Sequence, residues 1–339
     1  MKRTLFVIAG IILIMLAVVA FPSCRSYQAP PASSSLSLFV PQRADLVVKI
    51  EIEQILNDAD FAYLYQRFSA VDPGMPRTVD QALDQVTDET GIDLRDFRQV
   101  VAFANTSEVA QFMESPYPGG PYWGALLKGS FAEKRMMLAI AGLFDRDFEN
   151  YRYKGAKIYY YTEGREVLLS FTFVSNDLIV VGSTRAVEDT IDVMAGDYEP
   201  ISGIVYNLYE SLPQAYFKAA FSVPPSITRE IPSGQEIDQD LHLNLRPLRD
   251  VNIVGFTFGK IGSTTTTEVE LHCTHIDSAQ EIEELVRDLL GLGRLVAPDP
   301  RLKHHLDNVE VTSYGSVFSL RITETIADIE DLIEMLTEL

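Results

Sequence analysis

The sequence predicts an α+β protein made of a duplicated unit, in which helices pack on one face of an antiparallel sheet. First, runs with a period of two residues alternate with amphipathic helical runs from Phe39 onward. Second, short polar connections such as Ser175-Asn176-Asp177 join the strand-like runs, which is typical of hairpins and too short for parallel pairing. Third, the order of elements in residues 99–196 recurs in residues 252–336.

The first half of the folded part contains six predicted strands and four predicted helices. The strands are residues 44–51, 99–105, 122–129, 156–161, 167–174 and 178–182. The helices are residues 54–70, 79–90, 131–144 and 184–195. Gly91 and Gly196 follow two of these helices and are expected to cap their C-termini.

The second half repeats the order strand, strand, helix, hairpin, helix. Its predicted strands are residues 215–223, 252–260, 265–272, 309–314 and 317–322. Its predicted helices are residues 204–212, 278–292 and 325–336. We therefore expect a first unit at residues 39–200 and a second at residues 201–339. The sequence leaves open whether the two units share one sheet or face each other across a groove.

The N-terminus is predicted to export and anchor the protein. Lys2 and Arg3 precede an uncharged apolar segment at residues 5–21, and this order places the rest of the chain outside the cytoplasmic membrane. Ser23-Cys24 then resembles a bacterial lipobox, which implies lipidation of Cys24 as the mature N-terminus, so residues 1–24 comprise a signal peptide and its lipobox. An uncleaved membrane helix and ordinary secretion are the alternatives. Residues 25–38 are rich in Ser, Pro and Ala and predict a flexible linker.

The composition excludes several classes of function. The formal net charge of −20 disfavours nucleic acids and anionic lipid head groups as partners. Two cysteines do not make a disulfide scaffold. A hydrophobic content of 47% is enough for a large core, so the chain is expected to be globular.

Four segments carry a resemblance to a known family. They are PQRADLVVKI, TGIDLRDF, YKGAKIYYY and NDLIVVGSTRAVEDTIDV, all within residues 41–196. They resemble an uncharacterised family of exported bacterial proteins and lipoproteins that contain a domain of unknown function. The resemblance implies an extracytoplasmic location and an α+β fold, and it brings no activity and no site residues with it.

Possible metal and catalytic residues have simpler interpretations. Cys273 and His275 would share one face of a strand, beside His272, but a small buried cysteine in an apolar strand is ordinary. His304 and His305 are expected in a solvated linker. The helical carboxylates alternate with apolar stripes, as a solvated face requires. We predict no metal, no cofactor and no enzymatic activity.

The aromatic residues offer the only candidate binding surface. The five selected residues are Tyr117, Tyr122, Trp123, Tyr159 and Tyr161. They are interpreted either as half-buried packing residues of strands or as an exposed surface for a protein, glycan or peptide.

Together these features predict a membrane-anchored extracytoplasmic binding or interaction module with an unknown ligand. One alternative is a carrier of a hydrophobic ligand in a groove between the two units. A second is an extracytoplasmic hydrolase that uses two carboxylates in one cleft, and a third is a structural component of the envelope.

Overall fold

The computed structural model describes residues 35–70, 74–117, 119–144, 148–163, 166–232, 235–238, 241–297 and 299–338. The predicted anchor with Cys24 lies outside these residues, as does the predicted linker up to residue 34. No helix within the described ranges is both long enough and apolar enough to cross a membrane. The chain enters the fold through a short 3-10 helix, Leu36–Phe39, where Leu36 and Ser37 are buried. The end of the predicted linker is therefore ordered.

Fourteen strands are formed by the described residues. They are β1 Leu46–Ile50, β2 Phe97–Ala104, β3 Trp123–Gly129, β4 Glu149–Tyr153, β5 Ala156–Glu163, β6 Glu166–Ser175, β7 Leu178–Gly182, β8 Phe217–Ser222, β9 Gln235–Asp238, β10 Leu241–Leu243, β11 Val251–Ile261, β12 Thr264–Cys273, β13 Val309–Tyr314 and β14 Val317–Thr325. β9 and β10 pair with each other, and the other twelve form one sheet in the order β13-β14-β12-β11-β8-β1-β2-β3-β7-β6-β5-β4. Every neighbouring pair in this sheet is antiparallel, as predicted.

The two halves of the chain meet at the centre of the sheet. β1 pairs with β2 on one side and with β8 on the other, with Leu46 opposite Phe221 and Ile50 opposite Phe217. Both predicted units therefore contribute strands to one continuous sheet, which is one of the arrangements that the sequence left open.

Eleven α-helices accompany the sheet in the described part of the chain. They are α1 Ile52–Leu56, α2 Ala59–Ser69, α3 Val79–Thr90, α4 Thr106–Glu114, α5 Glu133–Phe144, α6 Thr184–Ala195, α7 Ile204–Ser211, α8 Pro225–Glu230, α9 Ile276–Val296, α10 Pro300–Asp307 and α11 Ile326–Glu338. Gly91 and Gly196 end α3 and α6 with φ of 73° and 80°, a left-handed conformation that glycine adopts without steric cost. The two predicted C-caps are confirmed.

The helices differ from the predictions in two ways, through one divided helix and three additional helices. The single helix predicted at residues 54–70 is two helices, because Asp58 accepts hydrogen bonds from the backbone N–H groups of Asp60 and Phe61 and starts α2 anew. Helices α4, α8 and α10 were not predicted. In α10, Asp299 caps the N-terminus and Pro300 takes the first helical position, so residues 300–307 are a helix and not a solvated linker.

Helices lie on both faces of the sheet, which differs from the prediction of one covered face. Adjacent strand residues point to opposite faces. Val47 packs in one cluster with Val187 of α6 and Leu208 of α7, and we name this side the α6 face. On the other side, Val48 packs with Ile55 of α1.

Helices α5 and α9 both lie on the side of the sheet opposite the α6 face. Met136 of α5 packs against Ile179 of β7. Ile282 of α9 packs against Phe318 of β14. Because these strand residues lie on the same side as Val48, we name this side the α9 face. Helices α5 and α9 therefore cover the same face of the sheet.

Candidate functional site

The five aromatic residues selected from the sequence do not lie on one common surface. Tyr122 is completely buried on the α6 face, where it packs beside Phe103. Tyr159 is buried on the α9 face, where its ring stacks on Phe171 with 5.3 Å between ring centroids. Since these two side chains lie on opposite faces of the sheet, they cannot contact one ligand together.

The other three aromatic residues are partly buried and pack locally. Trp123 is the first residue of β3, and it lies opposite Ala104 of β2. Tyr161 meets Phe148 edge to face at 6.1 Å, and Tyr117 meets Phe112 in the same way at 5.6 Å. Packing accounts for these contacts, and a ligand-binding role for the five residues stays a prediction.

The possible metal ligands at residues 272–275 are held apart by their surroundings. Cys273 is buried, and burial raises the pKa of its thiol to about 11. His272 Nε2 lies 3.3 Å from Glu270, and His275 occupies the N-cap position of α9. Across the ranges that the structure describes, no group of three or more His, Cys, Asp or Glu side chains has the geometry of a metal site.

Tyrosine–carboxylate pairs fix helix α6 to the sheet and its surroundings. The hydroxyl groups of Tyr122, Tyr151 and Tyr153 donate to Asp189 (3.0 Å), Glu188 (2.7 Å) and Asp192 (3.0 Å). Burial raises the pKa of Tyr122 and also raises the pKa of Asp189, although the hydrogen bond from Tyr122 opposes the rise at Asp189. The carboxylates of α6 are thus occupied by structural hydrogen bonds.

Glu108 connects α4 to two arginines at the rim of this region. Its carboxylate accepts from Arg43 at 2.6 Å and from Arg185 at 3.0 Å, and it also accepts the backbone N–H of Tyr122. Burial alone would raise the pKa of Glu108, but the hydrogen bonds and charges of the two arginines outweigh it and lower the pKa.

The lowered pKa of Glu108 predicts a pH-dependent contribution to stability. A carboxyl group with a depressed folded-state pKa stabilises the fold above its ordinary value of 4.5, and the contribution is lost as pH falls through the folded-state pKa. We expect Glu108→Gln to lower the free energy of unfolding by about 0.5–1 kcal/mol near neutral pH and to have less effect at about pH 3.5. Urea denaturation at both pH values measures this, and an equal loss at both would contradict it.

Two lysines lie side by side at the centre of the sheet, on the α6 face. Lys49 of β1 stands directly opposite Lys218 of β8, and their exposed fractions are 7% and 2%. Lys49 Nζ donates to Gln214 Oε1 at 2.7 Å and lies 3.1 Å from Glu51 Oε1. Directly opposite like charges repel across strands, so this pair destabilises the sheet unless a negative charge compensates it.

Lys218 has weaker electrostatic compensation than Lys49. Its Nζ donates to the carbonyl of Leu212, the C-cap residue of α7, at 2.8 Å, and lies 4.7 Å from the centre of the Tyr209 ring. Among the described residues, no carboxylate forms an ion pair with Lys218. Burial, with a further contribution from Lys49, lowers the pKa of Lys218 to about 8, so the group is mainly protonated at neutral pH.

A polar row connects the lysine pair to the exposed part of the same face. Moving outward from Lys218, the directly opposite residues are Thr257 on β11, Glu268 on β12, Arg321 on β14 and Glu310 on β13. Thr257 and Glu268 are buried, and Arg321 pairs with Glu268 at 2.8 Å. The charge of Glu268 is therefore already compensated, and the excess positive charge lies at the lysines.

The lysine pair was not selected from the sequence, although a signal for it exists. Lys49 interrupts the apolar strand ADLVVKIE, and Lys218 interrupts YFKAAF. A charge inside an apolar strand is uncommon because burying it unpaired is costly. The sequence alone does not indicate that the two interruptions pair with each other.

Comparisons with known proteins give a structural similarity only. No protein-family model matches the chain, and no curated protein matches it. The fold is similar to that of TP0453 in crystal form III, with a TM-score of 0.46 and 11% identity over 91% of this chain and 99% of that chain. Crystal form I of TP0453 gives a TM-score of 0.47 and 10% identity over 90% and 98% of the two chains. Similarity at this level assigns neither an activity nor a ligand to this chain.

Proposed function

We propose that this protein is a non-enzymatic binding module held at the outer face of the bacterial cytoplasmic membrane by its N-terminus. The basic start, the apolar residues 5–21 and Cys24 support this location. Residues 25–34 separate Cys24 from the described fold, and they span at most about 35 Å when fully extended. The tether would therefore keep the fold close to the membrane.

The observation that carries the binding role is an open area on the α6 face of β13 and β14. Its residues are Glu310, Thr312, Tyr314, Arg321 and Thr323, all exposed. Tyr314 is 91% exposed. Where the same face passes under α6 and α7, its residues are buried instead, for example Val101 and Leu126. Tyrosine and arginine are enriched at recognition surfaces, so an open area with Tyr314 and Arg321 supports an interaction role.

Labelling at Cys24 tests the tether. In a bacterial host, a palmitate analogue is expected to label the wild-type chain and to give no label on Cys24→Ser. Cys273→Ser serves as the matched control and should be labelled like the wild type, since Cys273 is buried in the fold. Protease added to spheroplasts should degrade the wild-type protein. Equal labelling of both serine variants, or protection from the protease, would contradict the proposed anchor and location.

We further propose that the two halves are copies of one α+β unit. The support is the order of the strands outward from the centre, which begins β1-β2-β3-β7-β6 on one side and is β8-β11-β12-β14-β13 on the other. The first side continues with β5 and β4, which have no counterpart in the sheet on the second side. In both series the second and third strands are consecutive in the chain and a later hairpin adds to the third strand. Helices α5 and α9 follow the third strand in each series and pack on the α9 face.

The last helices of the two copies would differ. Helix α6 packs on the α6 face, whereas α11 packs on α2 through Ile329, Ile333 and Leu64. A crystal structure in which α5 and α9 lie on opposite faces, or in which the two strand series differ in order, would contradict the duplication.

A further inference from the structure

The lysine pair at the centre of the sheet is short of negative charge. Two ammonium groups are buried next to each other, and Glu51 pairs with only one of them. The carbonyl of Leu212 and the ring of Tyr209 offer Lys218 partial negative charges, and the exposed Glu210 attracts it without forming an ion pair. Removing an ammonium group from water is unfavourable, and these partners do not fully offset the loss of hydration. The arrangement therefore lowers the stability of the fold.

Capping of helix α7 explains part of this arrangement. A lysine at a helix C-terminus stabilises the last carbonyl groups, and Lys218 contacts the carbonyl of Leu212. One hydrogen bond, however, occupies one of three N–H donors on the ammonium group. Capping also gives no reason for a second lysine, Lys49, directly opposite the first. A like-charged neighbour weakens a cap, so a further role is needed for the pair.

We propose that Lys49 and Lys218 together bind an oxyanion group, a phosphate or a carboxylate, of the ligand of this module. This inference rests on the proposed binding function and names the chemistry of its ligand. Directly opposite residues in an antiparallel pair have Cα atoms about 4.5–5.5 Å apart, so both ammonium groups can reach oxygens of one anion. Hydrogen bonds between ammonium groups and oxyanions are short and strong, and they would supply the missing charge.

The entry side is defined by Gln214. This residue is exposed, and its neutral Oε1 accepts from Lys49 Nζ at 2.7 Å. An oxygen of the ligand would replace this neutral acceptor with a charged one. The apolar side chains of Leu208 and Leu212 approach Gly255 on the same face, and both are buried. A desolvated site strengthens the interaction between ammonium groups and an anion.

Ligand-dependent stabilisation of the full-length protein, purified in detergent, tests the proposal. Inorganic phosphate and acetate are each titrated at constant ionic strength against sodium chloride, and the urea midpoint is measured. We expect at least one of the two anions to raise the midpoint of the wild type saturably. Lys218→Met should abolish this rise, and Lys49→Met should weaken the apparent affinity at least tenfold. A response to phosphate alone identifies a phosphate ligand, and a response to acetate alone identifies a carboxylate.

Lys260→Met is the matched control. The Lys260 side chain is also fully buried and its pKa is also lowered to about 8, but it lies on the α9 face and has a carboxylate partner, Asp60 Oδ2, at 3.3 Å. This variant should keep the wild-type response to anions. Without added anion, Lys218→Met should have a higher urea midpoint than the wild type, because an unpaired buried charge is removed.

Two outcomes would overturn the inference. The first is that neither anion raises the midpoint of the wild type. The second is that phosphate or acetate raises the midpoints of the wild type and Lys218→Met equally, which would be a general salt effect. Lys218→Met is shown to be folded if it unfolds cooperatively and its free energy of unfolding depends on urea concentration with the same slope as that of the wild type. Labelling at Cys24 is a separate readout, so a failure of anion binding and a failure of the tether are distinguishable.

Discussion

Gly129→Ala is expected to destabilise the protein by about 3 kcal/mol or more. Gly129 ends β3, opposite Phe97 of β2. A Cβ atom at this position would lie 2.1 Å from the backbone oxygen of Asp96 and 2.7 Å from the Phe131 ring. The backbone oxygen is itself fixed, because it accepts the N–H of Ser130 at 2.8 Å. Neither neighbour can move away without disturbing the edge of β2, so the strands must separate locally.

Gly142→Ala is the control for this substitution. Gly142 lies inside α5, and an added Cβ would meet nothing within 4 Å. Alanine is the better helix former, so this variant should be stabilised by about 0.5–1 kcal/mol. Urea denaturation of both variants measures the difference. Similar free energies of unfolding for the two variants would mean that Gly129 is not in close contact with the backbone oxygen of Asp96.

His305→Ala is expected to lower the free energy of unfolding by about 3 kcal/mol. His305 of α10 and Glu324 of β14 are both buried. Nδ1 of His305 donates to the Glu324 carboxylate, at 3.2 Å from each oxygen, and Asn308 Nδ2 donates to it as well. Loss of the imidazole leaves a buried carboxylate with Asn308 as its remaining side-chain donor and leaves a cavity beside it. Both effects destabilise the fold.

The adjacent histidine provides the matched control. The side chain of His304 is 56% exposed, and its Nε2 lies 3.0 Å from Asp328. An exposed pair contributes about 1 kcal/mol or less, so His304→Ala should change stability little. Urea midpoints of the two variants at neutral pH test the contrast. Losses of equal size would show that the burial of His305 has no energetic consequence.

These histidines illustrate what a local pattern can and cannot predict. The sequence placed His304 and His305 in a solvated linker because prolines and charges surround them. Asp299 and Pro300 could have indicated a helix start, since both fit the first positions of α10. The burial of His305 depends on Glu324, which the chain brings to it only when β14 joins the sheet. Local sequence signals can therefore predict helix α10, but they cannot predict the buried pair of His305 and Glu324.

The candidate site shows the same limit. The selected aromatic residues form two groups in the sequence, residues 117–123 and residues 159–161, but the fold places Tyr122 and Tyr159 on opposite faces of the sheet. Lys49 and Lys218 come from strands in different halves of the chain and meet through the pairing of β1 with β8. A sequence pattern indicates which residues share a face of their own strand, but it does not indicate which strand lies beside it.

The sequence by itself determined the α+β class, the antiparallel pairing within hairpins and the glycine caps of α3 and α6. These features depend on residues that are near neighbours in the chain, where periodicity, turn length and backbone freedom act directly. Only the tertiary structure decided that twelve strands form one sheet, that helices cover both faces and that two lysines adjoin at the centre. Backbone hydrogen bonds between strand edges are the same for any side chains, so the choice of edge partner leaves no local pattern to read.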